Sequence, residues 1–572
     1  MILQALATLY GDLLKRGEIT RPGWSKMKTG YALSIDADGT LQQVIPLVTQ
    51  MERNGKQYVV NQELVVPCPV KRSSGVAANF LCDNSGYFLG VDDKGKPKRT
   101  LECYAACKTL HLQLLGGIQN ETARGIVNFF STWEPEKSDE NPALAAVKED
   151  LVKGANLVFR VNGRYAHEDQ DIQKAWDAHY SDDQGQKIRC LVSGEWDELA
   201  LVHPALKGVN GAQSSGAAIV SFNAPAFCSY HREQGANAPV GKKAAFAYTT
   251  ALNHLLADRD NVQQIGDTTV ICWAEGGEPQ YRSLALSFLF GPKTESPITD
   301  DELHAAVRRL VEGKPCPELQ LDPNRRFYIL GLAPNAARLS VRFFLRSTFG
   351  DLMKNVNAHH ERMQIVGSRF SYIPLWAMLR ETTNQNAKDK SATPVLAGAV
   401  ARAIFSGTRY PAALLEATML RIRAEREITS GRAAILKAYY LKNPDDRCPK
   451  EVLTVSLNEN STNIPYTLGR LFAVYEAVQE QANPGINSTI KDKFFNAAAA
   501  TPAQIFTVLG KLYQQHSRKL SAGSRVFYDK QVSALMSVFN EQMPLRLDLP
   551  EQGAFQLGYY HQKQKRFEKK EN

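Results

Sequence analysis

Thr501-Pro-Ala-Gln-Ile-Phe-Thr-Val-Leu-Gly-Lys-Leu-Tyr-Gln-Gln-His516 is the stretch that decides the fold class of the C-terminal region. Thr501 has the side chain of an N-cap, and Pro502 fits a first turn because its missing N–H has no intrahelical partner there. Ile505, Leu509, Leu512 and His516 then recur along one helical face. A second helix is predicted to start at Asp548, with Pro550 and Glu551 in its first turn. Upstream, helices with short polar connections are predicted from about residue 396. Between them lies the stretch 442–463, KNPDDRCPKEVLTVSLNENSTN, where Asn, Asp and Pro stand at turn-forming density and a boundary is expected. The expected organisation is a helical connection over 396–441, a polar linker over 442–463 and a helical bundle over 464–572.

Toward the N-terminus the pattern mixes. Leu3, Leu6, Leu9 and Leu13 mark a short amphipathic helix, and Tyr31-Ala-Leu-Ser-Ile35 and Tyr58-Val-Val60 alternate as strands do. Strand-like runs recur at Leu157-Val-Phe-Arg-Val161, Ala218-Ile-Val-Ser-Phe222 and Thr268-Thr-Val-Ile-Cys-Trp273, with a helix predicted over 243–256. The fold class is therefore α+β: a mixed α/β N-terminal and central region over 1–395, with room for two subdomains, followed by an all-α bundle.

With 572 residues, the chain is long enough for several cores. The 39 Gly and 27 Pro are scattered, which fits neither a fibrous nor a disordered class. No apolar run reaches the roughly 20 residues of a spanning helix, and a cytoplasmic location is expected. Nine cysteines form no pattern of zinc-ligand pairs; Cys103 and Cys107, at i and i+4, read as packed small residues. Lys and Arg exceed Asp and Glu by 68 to 59, a surplus that favours a polyanionic partner.

Enzymatic motifs fail one by one. Gly241-Lys242 resembles the end of a phosphate loop, but Ala236 stands where the first Gly is needed and Lys243 replaces Ser or Thr. His167-Glu168-Asp169 and His359-His360-Glu361 lack the spacing that puts two ligands on one helical face, and they read as surface polar groups or helix-start acids. A metal-dependent nuclease acting on DNA through one of them is the competing functional class. Gly211-Ala-Gln-Ser-Ser-Gly216 is not a nucleophile elbow. No catalytic residue, metal or cofactor is expected.

Basic and amide residues among aromatics give the positive signal. Lys71-Arg72-Ser-Ser-Gly75, Asn79-Phe80 and Asp83-Asn84 combine phosphate donors, amides for base edges and an aromatic face. Gln213, Ser214 and Ser215, followed by Asn223 and Asn237, would let a glycine-rich backbone sit against a sugar-phosphate chain. Arg338 and Arg342 lie on one side of a strand or a helix, and with Arg325, Arg326 and Arg346 they suggest a nucleic-acid-facing surface. A fourth, weaker groove is suggested by Arg421, Arg423, Arg426, Arg432, Lys437, Arg470, Lys511, Arg518 and Lys519, with Glu416, Glu425 and Glu427 offsetting some of them.

Taken in order, Met1-Ile-Leu-Gln-Ala-Leu6, Pro69-Val-Lys-Arg72, Asn79-Phe-Leu81, Asp83-Asn84, Leu157-Val-Phe-Arg-Val-Asn-Gly163 and Gly211-Ala-Gln-Ser-Ser-Gly216 open a recognisable series. Ser221-Phe-Asn-Ala-Pro-Ala-Phe227, Ala245-Phe-Ala-Tyr-Thr-Thr250, Gly331-Leu-Ala-Pro-Asn-Ala-Ala-Arg-Leu-Ser-Val-Arg-Phe343, Tyr466-Thr-Leu-Gly-Arg-Leu-Phe472 and Glu551-Gln-Gly-Ala-Phe-Gln-Leu-Gly-Tyr-Tyr-His-Gln562 complete it. The series resembles the large-subunit family of the subtype I-C CRISPR Cascade over essentially the whole chain. That resemblance implies a non-catalytic subunit that recognises a protospacer-adjacent motif (PAM) in double-stranded target DNA and promotes strand separation and R-loop formation. It further implies CRISPR RNA and the displaced non-target strand as partners, beside the Cascade backbone, guide-end-binding and small subunits. A helicase-nuclease would be recruited in trans, and the C-terminal bundle would resemble the small subunit. The division of labour is the one known for a different, single-protein effector, in which guide pairing reads sequence and protein reads the PAM. On this basis Lys71, Arg72, Asn79 and Asn84 are assigned to the PAM, with Phe80 as a wedge. Gln213, Ser214, Ser215, Asn223 and Asn237 are assigned to DNA backbone or base edges, and Arg338 and Arg342 to a nucleic-acid backbone.

Overall fold

A computed structural model describes residues 1–53, 56–70, 75–181, 185–222, 224–291, 300–388, 390–539 and 543–567. The chain falls into two units, residues 3–203 with 222–251 and residues 204–221 with 252–572. The helical C-terminal region follows mixed α/β structure, as the sequence implies.

In the first unit the helix Ile2–Lys15 buries Leu6, Leu9, Tyr10 and Leu13. Strand Lys56–Pro67 pairs antiparallel with Trp24–Thr29 on one side and Val48–Arg53 on the other. A second sheet runs Leu41–Pro46, Tyr31–Ile35, Asn156–Val161, Cys82–Asn84. Its two central strands are parallel. Leu157, Val158 and Phe159 are all buried, the unbroken apolar run expected of a strand covered on both faces. Helices Pro97–Leu115, Glu121–Thr132 and Gln170–Tyr180 pack on the face of Leu157 and Phe159, and the first sheet, through Val66, Met27 and Leu64, covers the face of Val158. Their core is aromatic: Phe80, Phe88, Phe129, Phe130, Phe159 and Trp176.

The second unit holds a four-stranded antiparallel sheet in chain order, Gln263–Ile265, Thr268–Ala274, Arg326–Asn335 and Arg338–Thr348. One core runs from this sheet through Pro279–Phe290, Phe349–Met363 and Pro394–Ser406 into the later helices. Residues 442–463 belong to this unit. They do turn, and their turns are packed: Cys448, Val452 and Leu453 are buried, and Glu451 accepts from Ser461 Oγ at 2.8 Å and Asn463 N at 3.1 Å.

Two local expectations are corrected. Ala218-Ile-Val-Ser-Phe222 is not a strand; only isolated bridges form, Leu206 with Ala217 and Ala218 with Arg338, and the chain then bends toward Pro225. The helix Pro502–Ser517 exists; its fully buried stripe is Phe506, Leu509, Tyr513 and Ser517, centred on the larger aromatics, with Ile505 and Leu512 packed partly buried beside it. Thr501 donates its hydroxyl to Ala497 O at 3.2 Å instead of capping. Asp548 behaves as expected, forming a reciprocal capping box with Glu551. All nine cysteines are free thiols, and Cys103 and Cys107 are buried on one helix. Among the described residues no helix is long and apolar enough to cross a membrane.

Candidate nucleic-acid interface

Lys71 and Arg72 lie outside the described residues, and so does Asn223. The turn that follows the first pair is built around a buried carboxylate. Asp83 accepts the backbone N–H of Asn79 and of Asn84, each at 2.9 Å. Leu81 between them has a left-handed backbone (φ 57°), and its N–H donates to His111 Nε2 at 3.0 Å. His111 Nδ1 in turn donates to Cys107 O at 2.8 Å. Burial pushes the His111 pKa down to about 4, so the ring is neutral with Nε2 as acceptor.

Within this turn the assigned residues separate. Phe80 has 0% exposure and stacks on Trp176 at 5.4 Å; it is a core residue, and the wedge role is corrected because its ring reaches no surface. Asn79 is 7% exposed and spends its Oδ1 on Val70 N at 3.0 Å, which makes it a brace for the turn. Asn84 is half-buried and caps the short helix Ser85–Phe88, with its Oδ1 accepting from Gly86 N.

Asn84 also lines a cavity of about 420 Å³ with Tyr87, Asp92, Lys94, Lys96, Arg99 and Thr100. Three of these side chains are exposed cations, and Asp92 is already engaged by Lys94 N at 3.1 Å and Thr100 Oγ1 at 3.0 Å. Arg99 donates to Gly75 O at 3.2 Å. Pro97 opens the helix Pro97–Leu115, and its first turn carries no acid. Cations therefore stand where a helix N-terminus already presents partial positive charge, which leaves the mouth electropositive. Reading the sequence for amides passes over Lys94, Lys96 and Arg99. Their signal is Lys94-Gly-Lys-Pro-Lys-Arg99, four cations in six residues, masked by Asp92 and Asp93.

Asn237 is corrected as a contact residue. Its Oδ1 accepts from Ser229 N at 2.8 Å, and its Nδ2 donates to Arg232 O and Gln234 O at 3.0 Å each. The amide is a staple for a loop in which Tyr230, His231 and Gln234 have positive φ.

In the second unit, Gln213, Ser214 and Ser215 are exposed on a turn closed by Gly216 N donating to Gln213 O at 2.9 Å. Gly208 (φ +92°) must be glycine: a Cβ there would lie 3.2 Å from Leu256. Leu206 and Ala217 exchange backbone hydrogen bonds across the loop, and Ala218 then bridges to Arg338 at the sheet edge. The glycine loop and Arg338 thus share one edge. Arg342 does not join them as foreseen. A bulge falls between the pairs Leu332–Val341 and Gly331–Phe343, which breaks the strict alternation, and Arg342 donates to Asp267 at 2.6 Å. Arg325 and Arg326 likewise meet Glu278 at 3.1 Å and Glu275 at 3.9 Å. These acids are remote in sequence, so the arginine row reads as uncompensated when it is not. Of the weaker groove, Arg432 is buried against Glu425 and Glu381, and Lys437 and Arg470 are also interior.

The acidic-histidine clusters are not surface polar groups throughout. His167 is buried; Asp169 caps the helix Gln170–Tyr180 through Asp171 N and Ile172 N. His359 and His360 are buried, with His359 Nδ1 at 2.7 Å from Tyr410 OH and His360 Nε2 donating to Phe288 O at 2.8 Å. Among the described residues no three His, Cys, Asp or Glu gather to hold a metal. The start of the helix Lys242–Ala257 is likewise closed by Asp197, which accepts from Lys243 N at 2.9 Å.

Compared with known proteins, residues 6–567 match the family described as CRISPR-associated protein (Cas_Csd1). No curated protein matches the chain.

Proposed function

The chain belongs to the Cas_Csd1 family of CRISPR-associated proteins, and from that premise we propose that it is the non-catalytic large subunit of a subtype I-C Cascade. In this reading it recognises the PAM in duplex DNA and promotes the strand separation that guide pairing completes. It also offers a docking surface to the helicase-nuclease, which does the cutting. Cascade's guide RNA and its backbone, guide-end-binding and small subunits are its partners.

Beyond the family match, the reading is supported most by the cation-lined cavity at Asn84, Lys94, Lys96 and Arg99. Cations at its mouth suit two phosphate backbones, and the turn beneath is fixed by Asp83 and a neutral His111, so a side chain on it can discriminate without first being ordered.

The test is binding of the assembled, guide-loaded complex to duplexes that differ only in the PAM, at fixed salt. Asn84→Ser keeps an N-cap oxygen while removing the amide. It is expected to lose about 1–3 kcal/mol on the preferred PAM and to discriminate less between PAMs. Lys96→Ala and Arg99→Ala are expected to weaken all duplexes alike and to lower the salt slope by about 1 each. Unchanged binding in all three variants overturns the assignment of this cavity.

A further inference from the structure

The second unit contains a further opening, of about 220 Å³, that the function proposed above leaves unused. Its apolar lining includes Phe290, Leu375 and Leu379, and Trp376 stands in it with 47% of its surface exposed. A half-exposed Trp inside a cavity offers a ring face to whatever enters. Trp376 is held edge-on to Phe370 (centroids 6.0 Å, planes at 89°), and Arg369 covers Phe370 at 4.7 Å.

Charge narrows the ligand. Arg380 and Lys390 line the same cavity, both exposed, and among the described residues no carboxylate does. An apolar slot with a Trp wall and two cations at its mouth suits a flat ring that carries negative charge beside it. At about 220 Å³ the space falls below the roughly 300–1,000 Å³ of sites that enclose a drug-sized molecule, and it suits one ring system.

We propose that this cavity receives one unpaired base of a single-stranded nucleic acid, with the flanking phosphates on Arg380 and Lys390. The inference rests on the DNA-handling function proposed above and adds to it a seat for a separated strand. Binding here is sequence-tolerant. The amide that could read a base edge, Gln264, is spent inside the protein: its Nε2 donates to Gly266 O at 2.9 Å and its Oε1 accepts from Thr269 at 3.2 Å. Stacking and phosphate contact remain, and both are indifferent to base identity.

The experiment uses the full-length chain and measures its affinity for a short oligothymidylate, the matching oligouridylate, an abasic oligomer of the same length and a duplex. Trp376→Ala should weaken binding of the base-bearing strand about tenfold, the scale of one lost base-aromatic stack, and leave the abasic oligomer unaffected. Trp376→Phe should retain most of the affinity, which separates lost stacking from lost folding. Arg380→Ala with Lys390→Ala should weaken base-bearing and abasic strands alike. Whichever of the two base-bearing oligomers loses more identifies the strand as DNA or RNA. An equal loss on the abasic oligomer, or none on either base-bearing strand, overturns the inference. So does a Trp376→Ala variant that sheds a protein subunit from the assembled complex while strand affinity holds, since the cavity would then take a side chain. If the wild-type chain binds no single strand, this inference fails, and the proposed function stands or falls separately on duplex binding by the assembled, guide-loaded complex.

Discussion

His111 is one of several imidazoles that burial keeps neutral. The pKa values of His111, His167, His360 and His561 are each pushed down to about 4, desolvation being the largest cause in every case. The unfolded chain holds these groups near 6.5, so between about 6.5 and 4 it binds protons that the folded chain refuses. Stability is therefore complete above about pH 6.5 and is lost as pH falls through that window, by about 3 kcal/mol for one such histidine. Thermal melts at constant ionic strength should show the midpoint dropping from pH 7 to pH 5, and a flat profile would refute the buried, neutral assignment. At this scale the sequence marks the turn but not which of its side chains are buried in it. Phe80-Leu-Cys82 is three apolar residues in a row, a pattern of burial, and the amides on either side draw attention away from it. The pairing of Arg342 with Asp267, across 75 positions, has no local signal at all.

Helix Ile464–Ala482 and helix Leu549–Lys565 meet through glycines. A Cβ on Gly469 would lie 1.9 Å from Phe555 O, and one on Gly558 would lie 2.0 Å from Tyr466 O. The crossing also buries Glu476, which accepts from Tyr559 OH at 2.6 Å and Thr489 Oγ1 at 2.8 Å, and burial beside that carboxylate pushes the Tyr559 pKa up. Gly469→Ala or Gly558→Ala must force the facing backbones apart and should cost about 3 kcal/mol or more, read as a shift in urea midpoint. Gly510→Ala is the contrast: it lies inside the helix Pro502–Ser517, and its Cβ would meet nothing within 4 Å. It should stabilise by about 0.4–1 kcal/mol. By propensity alone all three glycines read as weak points in helices; only the partner backbone tells them apart. The same limit explains the rotated stripe of that helix, since periodicity gives the width of an apolar face and the neighbours decide its centre.

For the molecule as a whole, the change from mixed α/β to helices was legible, because period-2 and period-3.6 patterns differ over long stretches. The division into units was not. The second unit takes back residues 204–221 from inside the first, and composition along a chain carries no sign of such a return. The polar segment 442–463 raises a related point. The last helix is gripped from before that segment, by Arg423 on Gln552 at 2.7 Å, by Tyr440 beneath Gly553 and by Val366 O, which accepts from Tyr560 OH at 2.6 Å. Arg447, inside the segment, reaches Asp548 at 2.6 Å. Trypsin has an exposed target at Lys450. A nick there should give two bands on a denaturing gel and one undivided peak on gel filtration, and two polypeptides made separately with ends at that point should find each other again. Continuity of the chain through residues 442–463 is then a matter of synthesis, not of cohesion.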